Sequence, residues 1–120
     1  MKTYTHLRIS AVEGVPIVTL TATKYIDRLL IQETQDELLD YIRSAAPKRL
    51  VISFEEVQSI SSEFITTMLR CSEYVRSEEG ELRLSCMSPV VRMAFKVTNL
   101  DGTLLGIAET NIKAIDSFPS

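Results

Sequence analysis

LVISFEEVQSISSEFI, which runs from Leu50 to Ile65, is the stretch of sequence that decides the fold. Its first part, Leu50–Phe54, is a short apolar run rich in β-branched residues, which is typical of a central strand covered on both faces. A loop from Glu55 to Ile60 follows, and Ser61 or Ser62 then begins a helix. A buried strand that leads into a helix is the unit from which parallel α/β sheets are built.

Strands and helices alternate on both sides of this stretch. Periodicity and turn residues predict further strands and helices as follows: a hairpin of Thr5–Ser10 and Val15–Ala22 around the turn Val12-Glu13-Gly14, a helix Leu29–Ala45 ended by Pro47, a second helix ended by Gly80, a strand Glu81–Met87, a helix Val90–Val97 capped by Ser88-Pro89, a strand Thr103–Ala108 and a helix Asn111–Phe118. Alternation requires crossover connections. We therefore expect an α/β fold with a mixed, mostly parallel sheet of about five strands, an N-terminal antiparallel pair and four helices.

Length and charge restrict the class of protein. The 120 residues suit one domain, which we expect to span 1–120. With 13 Lys and Arg against 16 Asp and Glu, the net charge is −3. The chain contains no basic run, so its charge gives no reason to expect binding to nucleic acid. The N-terminus lacks the apolar core of a signal peptide, and no apolar run is long enough for insertion in a membrane. We therefore expect a cytoplasmic protein.

The residues that catalysis or metal binding would require are sparse. Cys71 and Cys86 are far apart in apolar contexts, so we expect two buried reduced thiols rather than a disulfide or a metal site. The only histidine, His6, falls in the first predicted strand, where it is not placed to serve a serine nucleophile. The chain also lacks a glycine-rich phosphate loop. We expect no enzyme activity, no cofactor and no metal.

Two blocks of this sequence resemble the STAS domain family. In that family a strand of the form "lvlDls" leads through V-x-x-I to Asp-Ser-Ser-Gly-Leu, and here Val57–Ile60 and Ser61–Ile65 hold the corresponding positions. The second block, GELRLSCMSPVVRMAF at Gly80–Phe95, resembles the family pattern GG-x-L-x-L-x-x-(I/L)-S-P-x-V-x-x-x-F and continues to Thr98-Asn99-Leu100. Together the blocks cover about half of the chain.

The resemblance implies a function in regulation by partner switching. The serine that is phosphorylated in anti-sigma-factor antagonists falls on Ser62, so the resemblance favours Ser62 over Ser61 as the phosphorylation site. Ser61 takes the place of the family's Asp. The next Ser of the motif falls on Glu63, and the Gly falls on Phe64. An unphosphorylated antagonist would bind an anti-sigma factor, itself a serine kinase of the histidine-kinase-like ATPase class. Phosphorylation would release the complex, and a phosphatase would reset it.

The predicted contact surface is the loop and helix start that carry Gln58, Ser59, Ser61, Ser62, Glu63 and Phe64. A phosphate on Ser62 would be tolerated there, because a helix N-terminus favours negative charge. Phe64 is the residue that we expect to be exposed, since Ile65 is in register with the inner stripe of Met68, Leu69, Ser72 and Val75.

Plainer readings of the same residues also stand. The serines could be helix caps alone and Glu63 a first-turn acid. The alternative functions are a constitutive STAS scaffold subunit of a signalling or lipid-transport complex, or a nucleotide or anion sensor.

Overall fold

A computed structural model describes residues 3–98 and 105–119 of the chain. Its strands are β1 (Leu7–Val12), β2 (Val15–Leu20), β3 (Lys24–Tyr25), β4 (Arg49–Ser53), β5 (Ser59–Ile60), β6 (Glu81–Ser85) and β7 (Gly106–Ala108). Its helices are α1 (Arg28–Ala45), α2 (Ser62–Ser77), α3 (Pro89–Val97) and α4 (Asn111–Asp116).

Five strands form the main sheet in the order β1-β2-β4-β6-β7. The first two pair antiparallel, and each later pair is parallel. The predicted mixed sheet, with its N-terminal antiparallel pair and its four helices, is therefore confirmed. Parallel neighbours need crossover connections, and these are supplied by α1, α2 and α3.

The sheet has a core on each face, and β4 contributes to both. Leu50 and Ile52 point into a large core shared with α1, α2 and α3. Val51 points to the opposite face, where it packs with Ala114 and Ile115 of α4. Every residue of β4 after Arg49 is buried, which explains why the strand is a continuous apolar run rather than an alternating one.

The hairpin differs from its prediction in the bounds of its first strand. β1 begins at Leu7 instead of Thr5 and continues to Val12, which pairs with Val15. The turn is therefore only Glu13 and Gly14, and both have positive φ, 52° and 78°. Two left-handed residues match the twist of a tight two-residue hairpin, and this conformation is uncommon for glutamate.

Three other elements, β2, β6 and α4, end earlier in the structure than the sequence predicted. β2 ends at Leu20 rather than Ala22, and α4 ends at Asp116 rather than Phe118. β6 ends at Ser85 because Cys86 takes a left-handed conformation, with φ of 61°. The last strand was predicted for Thr103–Ala108, of which Thr103 and Leu104 lie outside the described residues.

The turn from α2 into β6 explains Gly80 differently from its prediction as the helix terminator. The helix ends at Ser77, and the left-handed residue after it is Glu79, with φ of 63°. Gly80 is needed because the chain passes close to another turn: a Cβ on it would lie 2.7 Å from the carbonyl oxygen of Pro47.

Candidate functional site

The start of α2 is held in place by β3 and β5, two short strands that the sequence analysis did not predict. They pair in parallel as a separate two-stranded sheet. Beside this pair, the amide of Gln58 donates to the carbonyl of Thr23 at 2.7 Å, and the amide of Ser61 donates to the carbonyl of Tyr25 at 2.9 Å. The loop before α2 is thereby tied to the segment before α1.

An aromatic cluster lies beneath the helix start. Phe64 is fully buried; its ring stacks on Tyr25 with centroids 4.2 Å apart, and its edge-to-face contact with Phe54 has a centroid distance of 6.1 Å. Burial raises the pKa of the Tyr25 hydroxyl, which accepts a hydrogen bond from the amide of Ala22. The prediction that Phe64 is exposed is therefore wrong. Both Phe64 and Ile65 point inward, because β3 supplies an aromatic partner on the side that would otherwise face solvent.

Ser61 occupies the N-cap position of α2 without acting as a side-chain cap. Its backbone is extended, with φ of −101° and ψ of 168°, and its carbonyl accepts from the amide of Phe64 at 3.1 Å. Its hydroxyl makes no capping bond to the helix. Within the described part of the chain, this Oγ is buried and has no hydrogen-bond partner. The predicted cap is thus correct in position and wrong in its hydrogen bond.

Ser62 is the first residue of α2, and it is exposed. The first N–H groups of a helix have no carbonyl partner within the helix, and they create a positive end of the dipole. An oxygen or a phosphate attached here therefore lies in a favourable field. The carbonyl of Ser62 accepts from the hydroxyl of Thr66 at 3.3 Å.

Glu63 follows as a first-turn acid, where the helix dipole stabilises a negative charge. Its Oε1 lies 3.3 Å from Nε of Arg28, at the start of α1. The side chains of Arg28 and Glu63 are 86% and 51% exposed. Pairs this open to water contribute little to stability, so Arg28 can exchange partners at small cost.

The remaining predicted site residues lie on the same surface. Gln58 is exposed and Ser59 is half-buried, so five of the six predicted contact residues are at least partly accessible, Phe64 being the exception. Sequence reasoning missed Ile26, Arg28 and Leu29. The chain at Ile26 follows Tyr25, whose carbonyl binds the amide of Ser61, and Ile26 and Leu29 are 53% and 66% exposed. Leu29 could have been found as an apolar residue of α1 outside its inner stripe, whereas Ile26 precedes the helix and gave no signal.

A second exposed apolar row lies on α3. Val90, Met93 and Val97 recur at helical spacing on the outer face, while Val91 and Phe95 pack into the core. Helix α3 contacts β5, so the helix that carries this row lies near the loop that enters α2. Exposed apolar residues beside small polar ones are a common composition of protein-binding surfaces.

The other singled-out residues lie elsewhere. His6 precedes β1 instead of lying within it, and its Nε2 is 3.1 Å from Oε1 of Glu33. Cys71 is buried as predicted, and burial raises the pKa of its thiol to about 12; Cys86 is only half-buried, and both are free. Over residues 3–98 and 105–119, no cluster of His, Cys, Asp or Glu could hold a metal ion, and no helix is long and apolar enough to cross a membrane.

Several solved structures share this architecture. An anti-sigma factor antagonist from Mycobacterium paratuberculosis is 20% identical, with a TM-score of 0.79 over 92% of this chain and 91% of that one. SpoIIAA in its unphosphorylated form is 21% identical, with a TM-score of 0.72 over 92% and 93%. The phosphorylated form of SpoIIAA, a Bacillus cell fate determinant, is 19% identical, with a TM-score of 0.64 over 92% and 96%. At these identities the likeness shows a common fold.

Sequence comparisons identify the family. No curated protein matches the chain. The family model described as "STAS domain" matches residues 6–114, which include both predicted blocks and the whole α2 start. The chain therefore belongs to the STAS domain family.

Proposed function

We propose that this domain is a regulatory protein-binding module of the anti-sigma-factor antagonist type, switched by phosphorylation of Ser62. The observation that carries the proposal is the placement of Ser62 at the exposed N-terminus of α2, on a surface whose backbone is tied to β3. A rigid framework beneath an accessible hydroxyl suits a modification that changes binding while the fold stays intact.

Electrostatics supports a switch at this residue. Phosphorylation would add a charge of roughly −1.5 to −2. The helix dipole would stabilise that charge within the domain, whereas Glu63 next to it would add to the negative potential that a docked partner meets. Desolvating this charge in an interface is unfavourable, so the modified domain would dissociate from its partner.

The partner that suits this surface is a serine kinase of the histidine-kinase-like ATPase class acting as an anti-sigma factor, with a phosphatase to reset the switch. Ile26 and Leu29 would supply apolar contacts beside Ser62. SpoIIAA, whose fold this chain shares, exists in phosphorylated and unphosphorylated forms. We place the protein in the cytoplasm, acting by binding and without catalysis of its own.

One observation favours a second candidate, a constitutive scaffold subunit. Glu63 stands where the motif has a second serine, so a carboxylate lies beside Ser62 whether or not Ser62 is modified. A partner selected for that charge would bind regardless of phosphorylation.

Affinity capture from the native cell extract, with and without ATP, distinguishes the two. For the switch, we expect a histidine-kinase-like ATPase to be captured, ATP to release it, and mass spectrometry to find phosphate on Ser62. A partner that stays bound while Ser62 remains unmodified would overturn the switch and favour the scaffold.

The matched variants are Ser62→Asp and Ser77→Asp. They add the same charge at opposite ends of α2, about 22 Å apart along the helix. We expect Ser62→Asp to weaken partner binding at least tenfold, with a native circular dichroism spectrum, and Ser77→Asp to bind as wild type. Equal affinity of the two variants would contradict the proposal.

A further inference from the structure

A cleft of about 300 Å³ lies between α1 and α2, to one side of the α2 start. Helix pairs that cover a sheet usually meet through apolar side chains. Here the lining is polar apart from Ile31, and it includes Arg28 and Gln35 of α1 together with Glu63 and Arg70 of α2. A polar cleft at a helix–helix contact calls for an explanation beyond packing.

The floor of the cleft is a buried glutamine held in one orientation. Gln35 is only 9% exposed, and its Oε1 accepts from the hydroxyl of Thr67 at 3.0 Å and from Nη1 of Arg70 at 3.1 Å. Two donors occupy both lone pairs of Oε1, which fixes the amide. Within the described residues, Nε2 of Gln35 has no hydrogen-bond partner and is not sealed from solvent. Its two N–H groups remain available to a ligand.

The charge in the cleft favours an anion. Two arginines, Arg28 and Arg70, face one carboxylate, Glu63. One nitrogen of Arg70 donates a hydrogen bond to Gln35. One nitrogen of Arg28 donates to Glu63, in an ion pair that is exposed to water. Each guanidinium has five N–H donors, so most of them remain free to bind oxygen atoms of a ligand. Guanidinium groups bind phosphate through paired hydrogen bonds.

We propose that the α1–α2 cleft is a phosphate-binding site, in which Arg28 and Arg70 bind the anion and the Gln35 amide donates to it from the floor. The phosphate would be free or carried by a small metabolite, because the volume is at the lower end for ligand pockets. The site is separate from Ser62 and does not rest on the proposed switch. A ligand that takes Arg28 from Glu63 would nevertheless change the charge beside Ser62.

The test is a titration of the ¹⁵N-labelled full chain, at constant ionic strength, monitored by amide chemical shifts. The probes are inorganic phosphate and glucose 6-phosphate, with glucose as the uncharged control. We expect saturable shifts in the cleft with phosphate and no such shifts with glucose. Tighter binding of the ester would identify an organophosphate as the ligand, and equal affinities would identify the free anion.

Three variants make the result specific. Arg70→Gln and Arg28→Gln should each weaken phosphate binding at least tenfold, whereas Arg43→Gln removes the same charge four turns along α1 and should leave it unchanged. Because the side chain of Arg28 is highly exposed, Arg28→Gln should fold normally, and it tests the site even if Arg70→Gln fails to fold. Absence of saturation, or equal weakening in Arg43→Gln, would overturn the site without touching the Ser62 switch.

Discussion

Phe64 stands where the antagonist motif has glycine, and its ring fills space that a glycine would leave empty. It stacks on Tyr25 and meets Phe54 edge to face, with no exposed surface. We expect Phe64→Ala to lower the free energy of unfolding by about 3–5 kcal/mol, because it removes a buried ring and leaves a cavity. Leu29→Ala, at an exposed position nearby, should change it by less than about 0.5 kcal/mol. Urea unfolding of both variants measures the contrast, and a small loss for Phe64→Ala would show that the cluster does not stabilise the site.

The two N-cap serines, Ser61 and Ser88, give a second prediction at the scale of residues. The hydroxyl of Ser61 is buried without a partner, whereas that of Ser88 accepts from the amide of Val91 at 3.3 Å. Removing an unpaired buried hydroxyl costs nothing, so Ser61→Ala should leave the free energy of unfolding unchanged or raise it by up to about 1 kcal/mol. Ser88→Ala should lower it by about 1 kcal/mol. A loss for Ser61→Ala as large as that for Ser88→Ala would mean that Ser61 does cap α2 in solution.

At the scale of elements, the sequence predicted the strands and helices that are long enough to show a pattern of apolar residues, and it missed the two that are too short to show one. β4 and α2 are long enough for apolar residues to reveal a buried strand and an inner stripe. β3 and β5 have two residues each, which is too short for any pattern, and they form only because they pair with each other. The burial of Phe64 depends on Tyr25 of β3, so the error at the site follows from the missing strand.

The turn between α2 and β6 provides an element-scale prediction at Gly80. A Cβ there would lie 2.7 Å from the carbonyl oxygen of Pro47 and 2.9 Å from Cγ1 of Val75. Because a backbone oxygen cannot move aside as a side-chain tip can, we expect Gly80→Ala to lower the free energy of unfolding by about 1–3 kcal/mol. Gly14→Ala offers a contrast: its Cβ would meet nothing within 4 Å, and its cost arises only from positive φ. Thermal unfolding of both variants tests this, and an unchanged midpoint for Gly80→Ala would contradict the close approach.

At the scale of the whole molecule, the order of elements was sufficient to predict the mixed sheet, because crossover connections leave few topologies open. The assignment of helices to faces was not predictable. α1, α2 and α3 share one core, while α4 packs on the opposite face with Val51 and Ile17. That division depends on which side of each strand a helix returns to, and apolar runs buried on both faces do not reveal it.

Alkaline pH should destabilise the molecule as a whole, because three tyrosine hydroxyls and one cysteine thiol have higher pKa values in the folded state than in the unfolded chain. Burial raises the pKa of Tyr4 from 10.0 to about 12, aided by a hydrogen bond that its hydroxyl donates to Asp40, and burial raises the pKa of Cys71 from 9.0 to about 12. The pKa values of Tyr25 and Tyr41 are raised by burial as well.

All four shifts act on stability in the same direction. A raised pKa in the folded state means that the unfolded chain loses its proton first, so the stabilisation is fully present below the unfolded pKa and is lost as pH rises through the folded one. We therefore expect the free energy of unfolding to fall steadily between about pH 9 and pH 12. Tyr4→Phe removes one of these groups and should make the decline shallower above pH 10. The free energy of unfolding of this variant at pH 7 also reports the loss of the hydrogen bond to Asp40. Urea unfolding at stepped pH measures both slopes, and a decline equally steep in Tyr4→Phe would show that Tyr4 titrates as an ordinary exposed tyrosine.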